Sequence, residues 1–147
     1  MIKRIYSFPI IFVVAFACLF IFPPPMGKSE SPGTIKLPSG EMVCDLNGEW
    51  NALFENYGGC MQWGSIKMIV NIKQEGERFV AIKLSGGGMS TKGDELIKGE
   101  LEQKGFKKVA RYAQYWGWSL SKGEITNDCK KIIMDHEGCT KITLEKK

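Results

Sequence analysis

Asp45-Leu46-Asn47-Gly48-Glu49-Trp50-Asn51-Ala52-Leu53-Phe54-Glu55 is the stretch that decides the fold. It alternates, with Trp50, Ala52 and Phe54 on one face and Asn51, Leu53 and Glu55 on the other, which is the period of a strand with one buried side. Asn56-Tyr57-Gly58-Gly59 then breaks it with turn-forming residues. A Gly-x-Trp at the start of such a strand, followed by strand after strand without a convincing helix, points to a small antiparallel β-barrel entered through a buried tryptophan.

The pattern continues outward from there. Residues 66–73 set Ile66, Met68, Val70 and Ile72 against Lys67, Ile69, Asn71 and Lys73. Glu75-Gly76-Glu77 reads as a hairpin turn, and residues 78–84 form a strand whose greasier face is Val80, Ile82 and Leu84. A Gly-rich loop over residues 85–93 separates this hairpin from strands at 96–102 and 106–112, joined by Gln103-Lys104-Gly105. A strand at 116–120 follows, then a last hairpin of 130–135 and 139–145, in which Thr140, Ile142 and Leu144 share a face. The expected fold is all-β: about eight antiparallel strands in an up-and-down barrel, since closure removes the open edges that a flat sheet exposes. A two-sheet sandwich is the alternative.

The N-terminus is of another kind. Lys3-Arg4 precedes an uncharged stretch, residues 5–22, that ends at Pro23-Pro24-Pro25, the layout of an export signal. Residues 1–25 are therefore expected to form a hydrophobic export helix outside the fold. Two fates are open: cleavage, or retention as a membrane anchor through residues 5–22, which are near the minimum for a span. A third is lipid attachment at Cys18. Residues 26–41, rich in Ser, Pro, Gly and Lys, read as a flexible linker, and residues 42–147 as the barrel domain. The expected location is periplasmic or extracellular.

The full chain has a net charge of +4; without Lys3 and Arg4 its basic residues fall from 20 to 18 against 16 acids, a net of +2. No Lys/Arg run makes a nucleic-acid footprint. A domain of roughly a hundred residues has one modest core and gains from covalent staples.

An exported domain holding Cys44, Cys60, Cys129 and Cys139 is expected to be oxidised, with three pairings to choose from. If a strand fills residues 45–55 at about 3.3 Å per residue, Cys44 and Cys60 lie at opposite ends of the barrel, too far apart to bridge. Cys129 and Cys139 likewise flank one strand. In a closed, even-stranded meander the first strand starts where the seventh starts, which pairs Cys44 with Cys129 and Cys60 with Cys139. Local pairing remains the alternative if the first strand is shorter or its loop folds back.

Asp45-x-x-Gly48-x-Trp50 resembles the first-strand signature shared by lipocalins, fatty-acid-binding proteins and avidins, the calycin group of small ligand-binding barrels. The chain also resembles many short exported bacterial proteins of unassigned role with a D-x-x-G-x-W start and an I-x-Q-x-G-x-x-F hairpin, here residues 72–79. These resemblances imply export and a barrel. They carry over no ligand contacts, because neither the Thr-Asp-Tyr and final-strand arginine of lipocalins nor the biotin-contacting pattern of avidins maps onto this sequence.

The aromatic residues offer the functional hint. Tyr57 and Trp63 flank the loop after the first strand, and Tyr115 and Trp116 fall in another turn. Rings at a barrel mouth bind apolar molecules or sugar faces by stacking, so these four are the candidate ligand-binding residues. Trp50 and Trp118 read as core filling, a role open to the other aromatics too. His136, between Asp135 and Glu137, reads as a solvated turn residue without a nucleophile near it in sequence. The Gly86-Gly87-Gly88 loop lacks the Lys-Ser/Thr and helix of a phosphate cradle. The lone histidine and the wide cysteine spacing argue against a metal site. The expectation is an exported, non-enzymatic barrel that binds a small apolar or aromatic ligand, uses no cofactor, and meets a membrane only through its N-terminal segment. The main alternative is a protein-binding module, an inhibitor or envelope-associated factor using its loops and outer strand faces. A barrel enzyme acting on an apolar substrate comes third.

Overall fold

The computed structural model describes residues 33–103 and 105–147. The expected export helix, Cys18 and the first part of the linker lie outside the described residues.

Ten strands are described: β1 (Thr34–Lys36), β2 (Met42–Cys44), β3 (Gly48–Asn56), β4 (Ser65–Glu75), β5 (Arg78–Gly86), β6 (Glu95–Glu102), β7 (Gly105–Ala113), β8 (Gly117–Ile125), β9 (Lys131–His136) and β10 (Thr140–Lys146). Strands β3 to β10 form a closed up-and-down barrel in which β10 returns to pair with β3. Every pairing is antiparallel, and Ile142 lies opposite Phe54, Leu144 opposite Ala52. The seam joins two alternating segments whose apolar faces match, so closure adds burial as well as hydrogen bonds.

Trp50, Val70, Ile72, Ile132, Ile142 and Leu144 point inward and are buried. The Trp50 indole N–H donates to the Leu46 carbonyl at 2.8 Å, which supplies the partner that a buried indole requires. Lys146 Nζ lies 5.7 Å from the Trp50 ring centroid and donates to the Asp45 carbonyl at 2.7 Å, sealing this end with a cation over the ring.

Part of the stretch expected as linker is instead strand. β1 pairs with β2, with Ile35 opposite Val43, and the hairpin buries Leu37, Val43 and, just after it, Leu46 against the barrel core. Gln74 anchors this segment: its side chain accepts from Leu46 N at 2.7 Å and donates to the Cys44 carbonyl at 3.0 Å. Glu41 accepts from Gln103 N at 2.6 Å. The hairpin thus plugs one end of the barrel. Ile35, Leu37 and Val43 were hidden by their Ser/Pro/Gly surroundings.

The face expected for β5 is reversed. Phe79, Ala81 and Lys83 are the buried set, while Val80, Ile82 and Leu84 are only half-buried on the outside. Two observations account for it. The Phe79 ring lies 5.6 Å from that of Phe106, filling the plugged half, and Lys83 satisfies its ammonium by donating to Gly87 O at 2.7 Å and Ser90 O at 2.6 Å. Rings fit there because Gly99 and Gly123 face them: a Cβ on Gly99 would sit 2.8 Å from Phe79, and one on Gly123 3.0 Å from Phe106.

The disulfides join Cys44 to Cys129 and Cys60 to Cys139, with Cα separations of 5.5 and 4.9 Å, the pairing that matching strand ends selects. The first lies at the plugged end and the second at the opposite end. An eight-stranded barrel with two bridges fits a small exported protein, and disulfides are consistent with an oxidising compartment.

Candidate functional site: the open end of the barrel

β3, β5, β7 and β9 run toward the unplugged end, where four connections gather: the 3-10 turn Gly58–Trp63 and its neighbours, the Gly-rich loop 87–94, the turn 114–116 and the turn 137–139. Between them opens a broad cavity of about 1470 Å³ that runs from the inward Phe54, Ile66, Met68 and Leu96 over the rim to the outward Tyr112 and Trp118. Its existence follows from β8. The inward positions of that strand are Gly117, Ser119, Ser121 and Gly123, whereas Trp118, Leu120 and Lys122 point outward. Small inward residues leave the upper half of the lumen unfilled.

The walls divide by polarity. One side is apolar, built by Phe54, Ile66, Met68 and Leu96. The other carries Arg111, Ser119, His136, Thr140 and Asn56. The ladder places Arg111 opposite Ser119, His136 opposite Thr140, and Thr140 opposite Asn56, so the polar groups fall in two runs, one across β7 and β8 and one across β9, β10 and β3. Thr140 is fully buried, and its hydroxyl donates to Asn56 Oδ1 at 2.7 Å. Asn56 Nδ2 in turn donates to the Gly64 carbonyl at 2.8 Å, tying the second run to the loop above. Burial holds the Arg111 guanidinium below its ordinary pKa, since desolvation disfavours the charged form.

Three of the four expected ligand-contacting residues border this cavity: Trp63, Tyr115 and Trp116. All are exposed, Trp116 at 85%. The Tyr115 hydroxyl approaches Met89 Sδ at 3.9 Å, so the 114–116 turn touches the Gly-rich loop across the mouth. Tyr57 is not among the lining residues. Its hydroxyl donates to Asp135 at 2.5 Å and accepts from Gly138 N at 3.2 Å, which braces the β9–β10 turn; the hydrogen bond to the carboxylate, followed by burial, raises the phenol pKa.

Trp118, expected in the core, faces outward. It packs edge-on against Tyr112 at 5.5 Å, with Lys98 Nζ over its ring at 3.9 Å. His136, expected as a solvated turn residue, is the half-buried last residue of β9 and borders the cavity. Arg111 was not singled out from the sequence. The signal for it was parity, because it shares a face with Val109 in a strand whose other face, Lys108, Ala110 and Tyr112, is no more polar.

The closed barrel is compatible with a calycin-like fold. No protein-family model, no curated protein and no solved structure matches this chain.

Proposed function

We propose that this chain is an exported, non-enzymatic barrel that takes a small apolar or aromatic ligand through its open end. The observation that carries the reading is the cavity of about 1470 Å³ with Trp63, Tyr115 and Trp116 at its mouth. Exposed aromatic rings around a concave, largely apolar space are costly to leave in water and gain most when a ligand covers them. Asn56 and Thr140 support binding over catalysis, since they satisfy each other in place of activating a nucleophile.

The test uses N-phenyl-1-naphthylamine, a neutral dye that brightens in apolar surroundings. Saturable uptake is expected, and Trp63→Ala or Trp116→Ala should each weaken it by about two- to tenfold, the range of one stacking contact. Absence of saturable uptake overturns the reading.

A second reading is favoured by the outer face of β8. Leu120 is 74% exposed beside the Tyr112 and Trp118 pair, a place for a protein partner to dock. Leu120→Glu should leave dye uptake unchanged if the cavity is the site, and should abolish partner capture if this face is.

A further inference from the structure

Arg111 is a half-buried cation on the cavity wall without a counterion among the described residues. Among the described residues no carboxylate lies within ion-pairing distance of it, its side chain makes no hydrogen bond, and its Nε is sealed from solvent and unpaired. Carboxylates are not lacking in the neighbourhood. Asp94 borders the cavity, but its carboxylate caps Thr91 N at 2.7 Å; Glu95 is exposed; Asp135 and Glu137 are held outside by Tyr57 and Lys122.

One rung deeper, the Ser121 hydroxyl is also buried and unpaired. Arg111 and Ser121 are diagonal neighbours on the inner face: Arg111 stands opposite Ser119, and Val109 opposite Ser121. A second cation, Lys83, is buried under the Gly-rich loop, held only by backbone carbonyls. Buried polar atoms without partners are rare, so the sealed Arg111 Nε on the cavity wall, with the unpaired Ser121 hydroxyl its diagonal neighbour, marks a place for a partner from outside the chain. A guanidinium on the cavity wall calls for an acceptor with negative charge, and the apolar wall calls for a hydrophobic body.

We infer that the ligand is an amphipathic monoanion, its apolar body against Phe54, Ile66 and Met68 and its carboxylate-type head on Arg111. This rests on the cavity being the binding site. The guanidinium fork donates to both carboxylate oxygens at once, which orients the ligand head-down, and the mouth aromatics then cover the trailing end.

The experiment displaces bound N-phenyl-1-naphthylamine with decanoate or 1-decanol, which share a chain and differ at the head, from the wild type, Arg111→Met and Arg111→Lys. Arg111→Met should weaken decanoate by about tenfold or more, the worth of one charge-assisted hydrogen bond, and leave decanol and the dye within about threefold. Arg111→Lys should recover part of the decanoate affinity, since the charge returns without the fork. Retained dye uptake shows each variant to be folded. If decanoate and decanol weaken together, or decanoate does not weaken, the head-group assignment is overturned while the cavity reading stands. If the wild type does not take up the dye, both fall. Should Arg111→Met fail to fold, the wild type and Arg111→Lys decide: equal decanoate affinity in the two overturns the fork.

Discussion

Removing either disulfide should cost the same stability, although the two bridges occupy unlike places. Cys129 is 2% exposed at the plugged end, whereas Cys60 and Cys139 border the open cavity. A contact-based argument would make the buried bridge worth more. The chain-entropy argument does not. The bridges span 85 and 79 residues and interleave, Cys60 falling inside the first loop and Cys139 outside it. Alone, either bridge would remove about 4.5 kcal/mol of unfolded-state entropy. With one already formed, the other closes a ring that runs from Cys44 to Cys60, across a bridge, and back from Cys139 to Cys129, about 26 residues whichever bridge is formed last, for about 3.5 kcal/mol. Guanidinium unfolding of the wild type, Cys44→Ala/Cys129→Ala and Cys60→Ala/Cys139→Ala measures both. The losses should agree within about 1 kcal/mol, and removal of both bridges should cost about 8 kcal/mol, most of what a domain of this size has. Losses that differ by more than about 2 kcal/mol would refute the shared-ring argument and place the effect in native contacts. Dye uptake should separate the two: the Cys60/Cys139 variant loosens the mouth and weakens uptake, while the plugged-end variant does not.

Gly99→Ala should destabilise by about 2 kcal/mol, because its Cβ would meet the Lys108 carbonyl at 2.5 Å as well as the Phe79 ring. Gly59→Ala, with nothing within 4 Å, should stay within about 0.5 kcal/mol in the same thermal melts. Arg111→Met should raise the stability of the ligand-free protein by about 1 kcal/mol, as expected when an unpaired buried polar group is removed; a loss of that size would show the guanidinium to be satisfied. The raised pKa of Tyr57 means that its contribution is fully present below the ordinary phenol value of 10.0 and is lost as pH rises through the higher folded value. Tyr57→Phe should therefore flatten stability above that pH, read by denaturant midpoints, and absorbance should show one tyrosine titrating late in the wild type.

The barrel's closure was legible because both sides of its seam obey the same rule. Trp50, Ala52 and Phe54 on β3 and Thr140, Ile142 and Leu144 on β10 are apolar or small where they face inward, and the cysteines stand at strand ends, so end-matching alone chose their partners. The rule failed where the interior is not a core. On β5 the outward residues Val80, Ile82 and Leu84 are more hydrophobic than the inward Ala81 and Lys83, and on β8 Trp118 and Leu120 point out while serines and glycines point in. Periodicity finds the apolar face of a strand, and in a filled barrel that face is the inner one. In a barrel with a lumen the inner face can be the poorer one.

The same strand shows how the two halves differ. Gly123 and Gly117 both lie on the inner parity of β8, yet they do opposite things. Near the plugged end Gly123 receives the Phe106 ring, with Val109 Cγ1 3.1 Å from where a Cβ would be, so the missing side chain is replaced by another strand's. Toward the mouth nothing lies within 4 Å of a Cβ on Gly117, and Ser119, between them, borders the cavity. Small inward residues thus have two meanings that composition cannot separate: a socket for a ring from across the barrel, or unfilled space in the lumen. What separates them is whether the facing strands send an aromatic residue inward at the same height. Phe79 and Phe106 do so at the plugged end, and at the open end β7 sends Arg111. A charged side chain gains nothing by filling apolar volume, so Arg111 beside the small residues of β8 leaves this end of the lumen without the rings that fill the other.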